Sequence, residues 1–487
     1  MKMQRLITGI LLLAAAGLTD AMGSEPKREF RGAWLNTIYR NEYSTLSTDK
    51  CKEYLKTQLD LLQKAGVNAV FFQARPQSDA FYASAYEPWS RFLTAGGKAP
   101  APYWDPLEFM VKEAHARGME LHAWINPYRV TSSSKQTLPK GHIYHKHPER
   151  FIRYEGKLYF DPALEENRDF IVKVVCDIVS RYDIDGIHFD DYFYPYPGKT
   201  MFPDNDSFRK FGGKMNRGDW RRKNVDMLIE AVYSSIHKVK PWVRFGVSPF
   251  GIWRNKKSDS RGSDTAGLEN YDSLYADVLL WAEKGWVDYL IPQLYWERGH
   301  RLADYDILVK WWNDCAPDCQ LYIGQDVNRC MDKTDLDGGN NQLHSKLDAC
   351  RKADNIQGVC WWPAYSVSGN YKGVSDILQK DCQQYKALVP EYSGLCSERP
   401  APPCDLRETS RVLRWECREP EGKSNDAVRF VVYRTESGDK DELDNPASII
   451  AVTDAREYTV SASGVYFVTS LNRVNAESES SAKIRVK

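Results

Sequence analysis

At 487 residues, with 42% hydrophobic residues and no low-complexity tract, the chain can bury one large core and a smaller domain. Its 66 Lys and Arg balance 66 Asp and Glu, which leaves no basic field for nucleic acid or another polyanion. Aromatics reach 13%, with 15 Trp and 28 Tyr, many beside loop residues where flat-faced ligands such as sugars could stack.

The chain opens with MKMQRLITGILLLAAAGLTDAMGS: a basic start, an apolar run from Leu6 to Leu18, then the small-x-small pattern Ala21-Met22-Gly23. This reads as a secretory signal peptide over residues 1–23, since the run is well short of the ~20 residues a bilayer needs. The mature chain then starts near Ser24 in an exported, periplasmic or extracellular setting, without a lipobox cysteine or a later membrane span. Eleven cysteines is an odd number for such a chain, so some bridges are possible and at least one thiol is left over. Cys315 and Cys319 lack a second pair at zinc-ligand spacing, so no metal site is expected there.

Short β-branched or aromatic runs then alternate with stretches of helical period. The strands are FRGAWL from Phe30, NAVFFQ from Asn68, ELHAWI from Glu120, GIHFD from Gly186, RFGVS from Arg244, DYLIPQL from Asp288, LYIGQ from Leu321 and GVCWW from Gly358. Between them lie amphipathic segments such as STDKCKEYLKTQLDLLQKAG and DPLEFMVKEAHARG, with Ser47 or Thr48 and Asp105 as N-caps. Eight such repeats over residues 28–390 predict an α/β fold, a (β/α)8 TIM barrel. An open doubly wound sheet is the runner-up, but no Gly-rich phosphate loop follows any strand. Residues 391–404 form a Pro-rich linker, and the short alternating runs of 405–487 predict a small fibronectin type III-like β-sandwich.

In such a barrel the chemistry lies where the strands end. The strand ends here are unusually polar: QARPQSDAFY, NPYR, DDYFYP, SPFGIWRN, QLYWE, QDVNR and WWPAYS. Buried without partners, such groups would cost ~1–3 kcal/mol each, so they describe a wet, aromatic-walled cleft. In the fourth strand the period of two puts His188 and Asp190 on the axial face, with Ile187, Phe189 and Asp191 opposite. His188 reads as a core histidine rather than a catalyst and is kept with the substrate-binding set. Asp190 is the candidate nucleophile or base, and Asp191 is a catalytic candidate at the rim that could equally orient Asp190 or cap the next turn.

A glycosidase holds two carboxyl groups about 5–5.5 Å or ~6.5–9.5 Å apart, and adjacent residues facing opposite ways cannot do so. The partner is therefore expected on another strand end. Glu297 is first choice as general acid, with Tyr295 and Trp296 beside it to raise its pKa, and Asp326 and Asp79 follow.

The blocks RGAWLNT, QARPQSDAFYASAYEPWSRFLT, WDPLEFMVKEAHARGMELHAWINPYR, DGIHFDDYFYP, FGVSPFGIWRN and YADVLLWAEKGWVDYLIPQLYW resemble the glycosyl hydrolase-like ten family from about Phe30 to Tyr365. The resemblance implies a (β/α)8 hydrolase, often followed by a fibronectin-like domain, acting on peptidoglycan glycan strands stripped of stem peptides. It also implies a link to the cell-division machinery, because bacterial members include a divisome-localised glycosidase. Gln73, Arg75, Asp79, Asn126, Tyr128, Arg129, Asp190, Asp191, Tyr192, Ser248, Gln293, Tyr295 and Trp296 are carried over as cleft residues because they stand within these blocks. Trp361 and Trp362 of WWPAYS join the substrate-binding set. DGIHFDDY is also faintly similar to the chitinase motif, but Tyr192 stands where that motif has its catalytic Glu and His188 replaces an Asp. A substrate-assisted route stays open, with Asp190 or Asp191 orienting a 2-acetamido group.

Arg75, Arg129 and Arg254 hint at an acidic group on the substrate, such as the lactyl carboxylate of muramic acid. Two competing readings are a glycan-binding barrel without catalysis and a metal-dependent deacetylase. For the second, GHIYHKHPE supplies His142, His145 and His147 without the helical spacing that aims two at one ion. The expectation is an exported glycoside hydrolase of cell-wall glycan that uses no cofactor.

Overall fold

The structure, a computed structural model, describes residues 25–436 and 440–487. The leader read over residues 1–23 lies outside the described residues. In chain order the strands of the first domain are β1 (Phe30–Leu35), β2 (Ala69–Arg75), β3 (Glu120–Ile125), the hairpin β4 (Phe151–Tyr154) and β5 (Lys157–Phe160), β6 (Gly186–Phe189), β7 (Arg244–Val247), β8 (Tyr289–Leu290), β9 (Gln320–Leu321), β10 (Ile323–Asp326) and β11 (Gly358–Trp362). All but the hairpin join one parallel sheet in the order β10-β11-β1-β2-β3-β6-β7-β8-β9. Its two ends, β9 and β10, are pieces of the same seventh stave, separated only by Tyr322. The sheet is thus a nearly closed barrel of eight staves rather than an open doubly wound one.

The staves are jacketed by α1 (Thr48–Lys64), α2 (Pro106–His115), α3 (Glu165–Arg181), α4 (Arg217–Val239), α5 (Val278–Glu283), α6 (Tyr305–Cys315) and α7 (Leu343–Arg351). Each buries an apolar stripe: in α1, Leu55, Leu59 and Leu62 recur at helical spacing and pack on the outer faces of the strands. Asp105 caps α2, its Oδ1 accepting from the N–H groups of Leu107 and Glu108 at 3.1 Å. Ser47 occupies the N-cap of α1 without a side-chain bond.

Along each stave the period of two sends one residue outward to the helices and the next to the axis. Ile187, Phe189 and Trp361 face the helices, while Phe30, Trp34, Phe71, Trp124, Tyr289, Tyr322 and Cys360 fill the axis. Two inward-facing glycines make room for the axial rings. A Cβ on Gly186 would lie 2.3 Å from His122 Nδ1, and one on Gly246 would lie 2.1 Å from the Tyr289 ring.

The C-terminal region carries β12 (Cys404–Thr409), β13 (Val412–Glu416), β14 (Arg429–Thr435), β15 (Ile449–Thr453), β16 (Glu457–Thr459), β17 (Gly464–Leu471) and β18 (Ile484–Val486). They form two antiparallel sheets, β12-β13-β16 and β15-β14-β17-β18. Leu413 and Trp415 of the first share one buried cluster with Phe430, Val432 and Val468 of the second. This unit docks on the N-terminal end of the barrel, where Asn475 Nδ2 donates to Glu120 Oε1 at 2.8 Å and Arg473 pairs with Asp183 at 2.8 Å. The expected linker is seated rather than loose: the Tyr392 N–H donates to the Val474 carbonyl at 2.9 Å. All eleven cysteines are free, so the bridges open to the chain are not formed.

Candidate active site

The axial positions at the C-terminal ends of the staves are the ones helices do not cover, and they open into a cleft of about 440 Å³. Nine of the sequence candidates line it: Gln73, Arg129, Asp190, Asp191, Tyr192, Ser248, Gln293, Tyr295 and Trp362. Asp190 follows the last residue of β6 on the axial face, as the alternation predicts. Its Oδ2 accepts from Asn126 Nδ2 at 3.0 Å, and its Oδ1 from the Asp191 N–H at 2.9 Å and from Gln293 Nε2 at 3.5 Å. Asn126 is itself fixed from behind, since its Oδ1 accepts from Gln73 Nε2 at 3.2 Å and Arg129 Nη2 at 2.9 Å. Gln73 Oε1 in turn accepts from the N–H groups of Thr37 and Ile38, both at 3.0 Å.

Asp191 departs from expectation. The strand ends at Phe189, so the alternation does not reach it, and the chain turns its carboxyl into the same cleft as Asp190. The Tyr196 hydroxyl donates to Asp191 Oδ2. Burial, and then the neighbouring Asp190 charge, push the Asp191 carboxyl well above the ordinary carboxylate range. The environment of Asp191 therefore favours its protonated form, beside the acceptor Asp190.

Arg129 spans the cleft wall. Its Nη1 donates to the Tyr192 hydroxyl at 2.7 Å, its Nε and Nη2 to the Pro76 carbonyl at 3.0 and 2.6 Å, and its guanidinium lies 5.0 Å over the Tyr192 ring. No carboxylate lies within ion-pair distance of it among the described residues. Arg75 and Arg254 differ: Arg75 is fully buried on Glu87 at 2.6 Å, and Arg254 is paired with Asp259 and Asp272 at 2.9 and 2.8 Å.

Glu297 does not join the site. It lies outside the cleft lining, 3.4 Å from Lys333, and although burial pushes its carboxyl up, its own backbone N–H, Lys333 and His300 bring it below the ordinary range. A working acid needs the opposite shift. Trp296 packs edge-on against Phe250 at 5.3 Å instead of forming a platform, because Tyr295 takes the inward position of the alternation. Trp361 and Tyr128 are buried away from the cleft, and only Trp362 of the WW pair faces it. Asp326 caps a helical turn by accepting from the Arg329 N–H at 3.0 Å.

Asp79 lines a separate cavity of about 430 Å³ with His142; Ser90 Oγ donates to it at 2.8 Å, and burial pushes it up to about 6. His142, His145 and His147 turn to separate partners, the Tyr144 N–H, the Leu138 carbonyl and Glu149. His188 lies beneath the cleft, within 3.1 Å of the Trp34 indole nitrogen and 3.0 Å of Ser248 Oγ. A larger groove of about 660 Å³ between α6 and α7 has its charges already paired, as in Arg298–Asp306 and Lys352–Asp348.

Sequence reasoning missed Trp34, Asn36, Ile38, Tyr39, Trp124 and Tyr196 in the cleft lining. Trp34 and Trp124 were legible as the last axial residues of their strands. Tyr196 was not, because it returns to Asp191 from a loop.

A family model described as "Glycosyl hydrolase-like 10" matches residues 29–338. The chain is 35% identical to "Glycosyl hydrolase YngK" of Bacillus subtilis (strain 168), over 98% of this chain and 97% of that protein. It is 38% identical to "Glycosyl hydrolase DigH" of Escherichia coli (strain K12), over 70% of this chain and 86% of that one. A solved glycoside hydrolase domain of PgaB (BpsB) from Bordetella bronchiseptica superposes with a TM-score of 0.47 at 10% identity, over 73% of this chain and 98% of that one.

Proposed function

The chain belongs to the glycosyl hydrolase-like 10 family and is a glycoside hydrolase, and from that premise we propose that it cleaves bonds of 2-acetamido sugars in bacterial peptidoglycan by substrate assistance. The observation that carries this reading is that Asp191, buried where its protonated form is favoured, shares one cleft with the acceptor Asp190. Asp190 and Asp191 are adjacent in sequence and enter the cleft from the same stave end, not from two facing walls that could flank a glycosidic bond. No third carboxyl lines the cleft among the described residues. The nucleophile is then the substrate's own acetamido oxygen.

In this mechanism Asp191 gives its proton to the glycosidic oxygen as the bond to the anomeric carbon breaks. Asp190 accepts the acetamido N–H, which favours attack of the carbonyl oxygen on the anomeric carbon and stabilises the oxazolinium that forms. Water then opens that ring, with the Asp191 carboxylate taking its proton. Two displacements retain the anomeric configuration. Trp34, Trp124, Trp362 and Tyr295 exclude bulk water around the acetamido group.

Arg129 supports a substrate that carries a free carboxylate, such as muramic acid stripped of its stem peptide. The basic-then-apolar N-terminus supports export, and the seven-stranded C-terminal unit fits a fibronectin type III-like accessory domain. The test uses mature protein, with Asp190→Asn and Asp191→Asn, on amidase-treated and untreated sacculi, reading soluble fragments by mass spectrometry. Wild type is expected to release short glycans from the stripped strands alone, and both variants to release none. Equal release from untreated sacculi would remove the stripped-strand preference, and no release from either would remove peptidoglycan as the substrate.

A further inference from the structure

Below the cleft a line of polar side chains runs down the barrel axis, and its protons can be placed by elimination. The Trp34 indole can only donate, and its Nε1 meets His188 Nε2 at 3.1 Å, so that nitrogen carries the lone pair. Ser248 Oγ lies 3.0 Å from the same nitrogen and can give its proton to that shared lone pair or to the Phe189 carbonyl at 3.4 Å. Burial, and the nearby His122, push His188 well below its ordinary pKa, so the ring is neutral and its one proton sits on Nδ1. That nitrogen faces the Tyr289 hydroxyl at 3.3 Å, and of the two acceptors then open to the Tyr289 O–H, His122 Nδ1 at 2.9 Å is nearer than the Ile187 carbonyl at 3.5 Å. His122, also pushed down by burial, therefore bears its proton on Nε2 and donates to Glu120 Oε2 at 3.2 Å. Arg244 Nη2 gives one of its two protons to Glu120 and lies farther from His122 Nε2, at 3.4 Å, than the Glu120 carboxylate does.

The two ends of this line are occupied by different domains. At the top, Trp34 and Ser248 line the cleft, and the Ser248 carbonyl accepts from Gln293 Nε2 at 2.9 Å, the amide that also reaches Asp190. At the bottom, Glu120 Oε1 accepts from Asn475 of the C-terminal domain at 2.8 Å and lies 3.5 Å from Arg429 of the same domain. Glu120, His122, His188 and Tyr289 are all fully buried, so no water competes for these bonds.

We propose that Trp34, His188, Tyr289, His122 and Glu120 form a one-way hydrogen-bonded relay through which the docked C-terminal domain holds the floor of the cleft. His188, Tyr289 and His122 are positioning residues: they fix the orientation of Trp34 and Ser248, and through Gln293 that of Asp190. The C-terminal domain is by this account part of the catalytic apparatus and not a detachable module. The proposal rests on reading the cleft as catalytic, and its test separates the two.

Neutron diffraction from perdeuterated full-length protein reads the protons directly, whatever the substrate. Deuterium is expected on Nδ1 of His188, on Nε2 of His122 and on the Tyr289 oxygen toward His122. Deuterium on His188 Nε2, or on both nitrogens of either ring, overturns the relay. Kinetics then test coupling, with Tyr289→Phe and Asn475→Ala compared with wild type at a temperature where each is folded. Each is expected to lower kcat about tenfold, as loss of one buried hydrogen bond would, with KM unchanged. Wild-type kcat in both variants overturns the coupling between domain and cleft. If wild type cleaves no acetamido glycan, the proposed function falls, while the neutron result still decides the relay.

Discussion

At the N-terminal end of the barrel Glu120 is met by Arg244, His122 and Asn475, and Glu29 by Arg31 and Arg351. At the C-terminal end Asp191 has the Tyr196 hydroxyl and, beside it, a second carboxyl. Both ends bury acids, and the electrostatic outcomes are opposite. Burial alone would push Glu120 up, but Arg244, with His122 and Arg429, holds it well below the ordinary range. At Asp191 burial and the like charge act together, and no cationic group is paired with it among the described residues. A buried acid that its neighbours neutralise is part of the scaffold, whereas one left to hold a proton beside an acceptor is poised for chemistry.

Substitutions at the two ends should therefore fail in different ways. Asp191→Asn is expected to lower kcat by roughly 10²–10⁴-fold while the protein stays folded, read by initial rates beside circular dichroism. A variant that keeps activity would show that the proton comes from elsewhere. Glu120→Ala strands Arg244 in the interior, while Arg429 keeps Asp185, and should cost about 3–5 kcal/mol of stability in chemical denaturation. Unchanged stability would mean the N-terminal end is wetter than its packing indicates.

The pH response sharpens the contrast. Because the folded pKa of Asp191 is raised, the native state keeps a proton that the unfolded chain has lost. Stability from this group is present at low pH and is lost as pH rises through the raised folded value. Activity should fall over the same range, since the acid catalyst deprotonates there. In Asp191→Asn this loss of stability with rising pH should shrink; an identical melting profile against pH would contradict the assignment.

Two smaller effects follow from the cleft rim. Tyr39 is 67% exposed and Tyr196 40% exposed, both lining the cleft, so they can stack on sugars. Tyr39→Ala is expected to raise KM about two- to tenfold on long glycans, with kcat unchanged. Glu297→Gln removes only the pair of a half-buried Glu297 with the exposed Lys333 and should leave kcat at the wild-type value. A large loss there would restore Glu297 as the acid.

The staves were legible because apolar runs and helical periods alternate along the chain, and the inward face of Asp190 followed from the period of two. That rule also explains why Trp362, and not Trp361, reaches the cleft. It failed for Asp191, where the strand has already ended. Glu297 was chosen for its aromatic neighbours in sequence, while its neighbour in space is Lys333. Tyr196 and Tyr39 sit on loops whose return to the cleft no local pattern encodes. The axial relay was hidden for a related reason: it joins Glu120 and His122 to Tyr289 and Asn475, which lie far along the chain.

The most direct test compares glycan strands stripped of stem peptides before and after chemical removal of their N-acetyl groups. Substrate assistance predicts that cleavage is lost with the acetyl group and that re-acetylation restores it. Equal cleavage of the de-N-acetylated strands would contradict the account, because Asp190 would then have no acetamido group to hold and another nucleophile would have to serve.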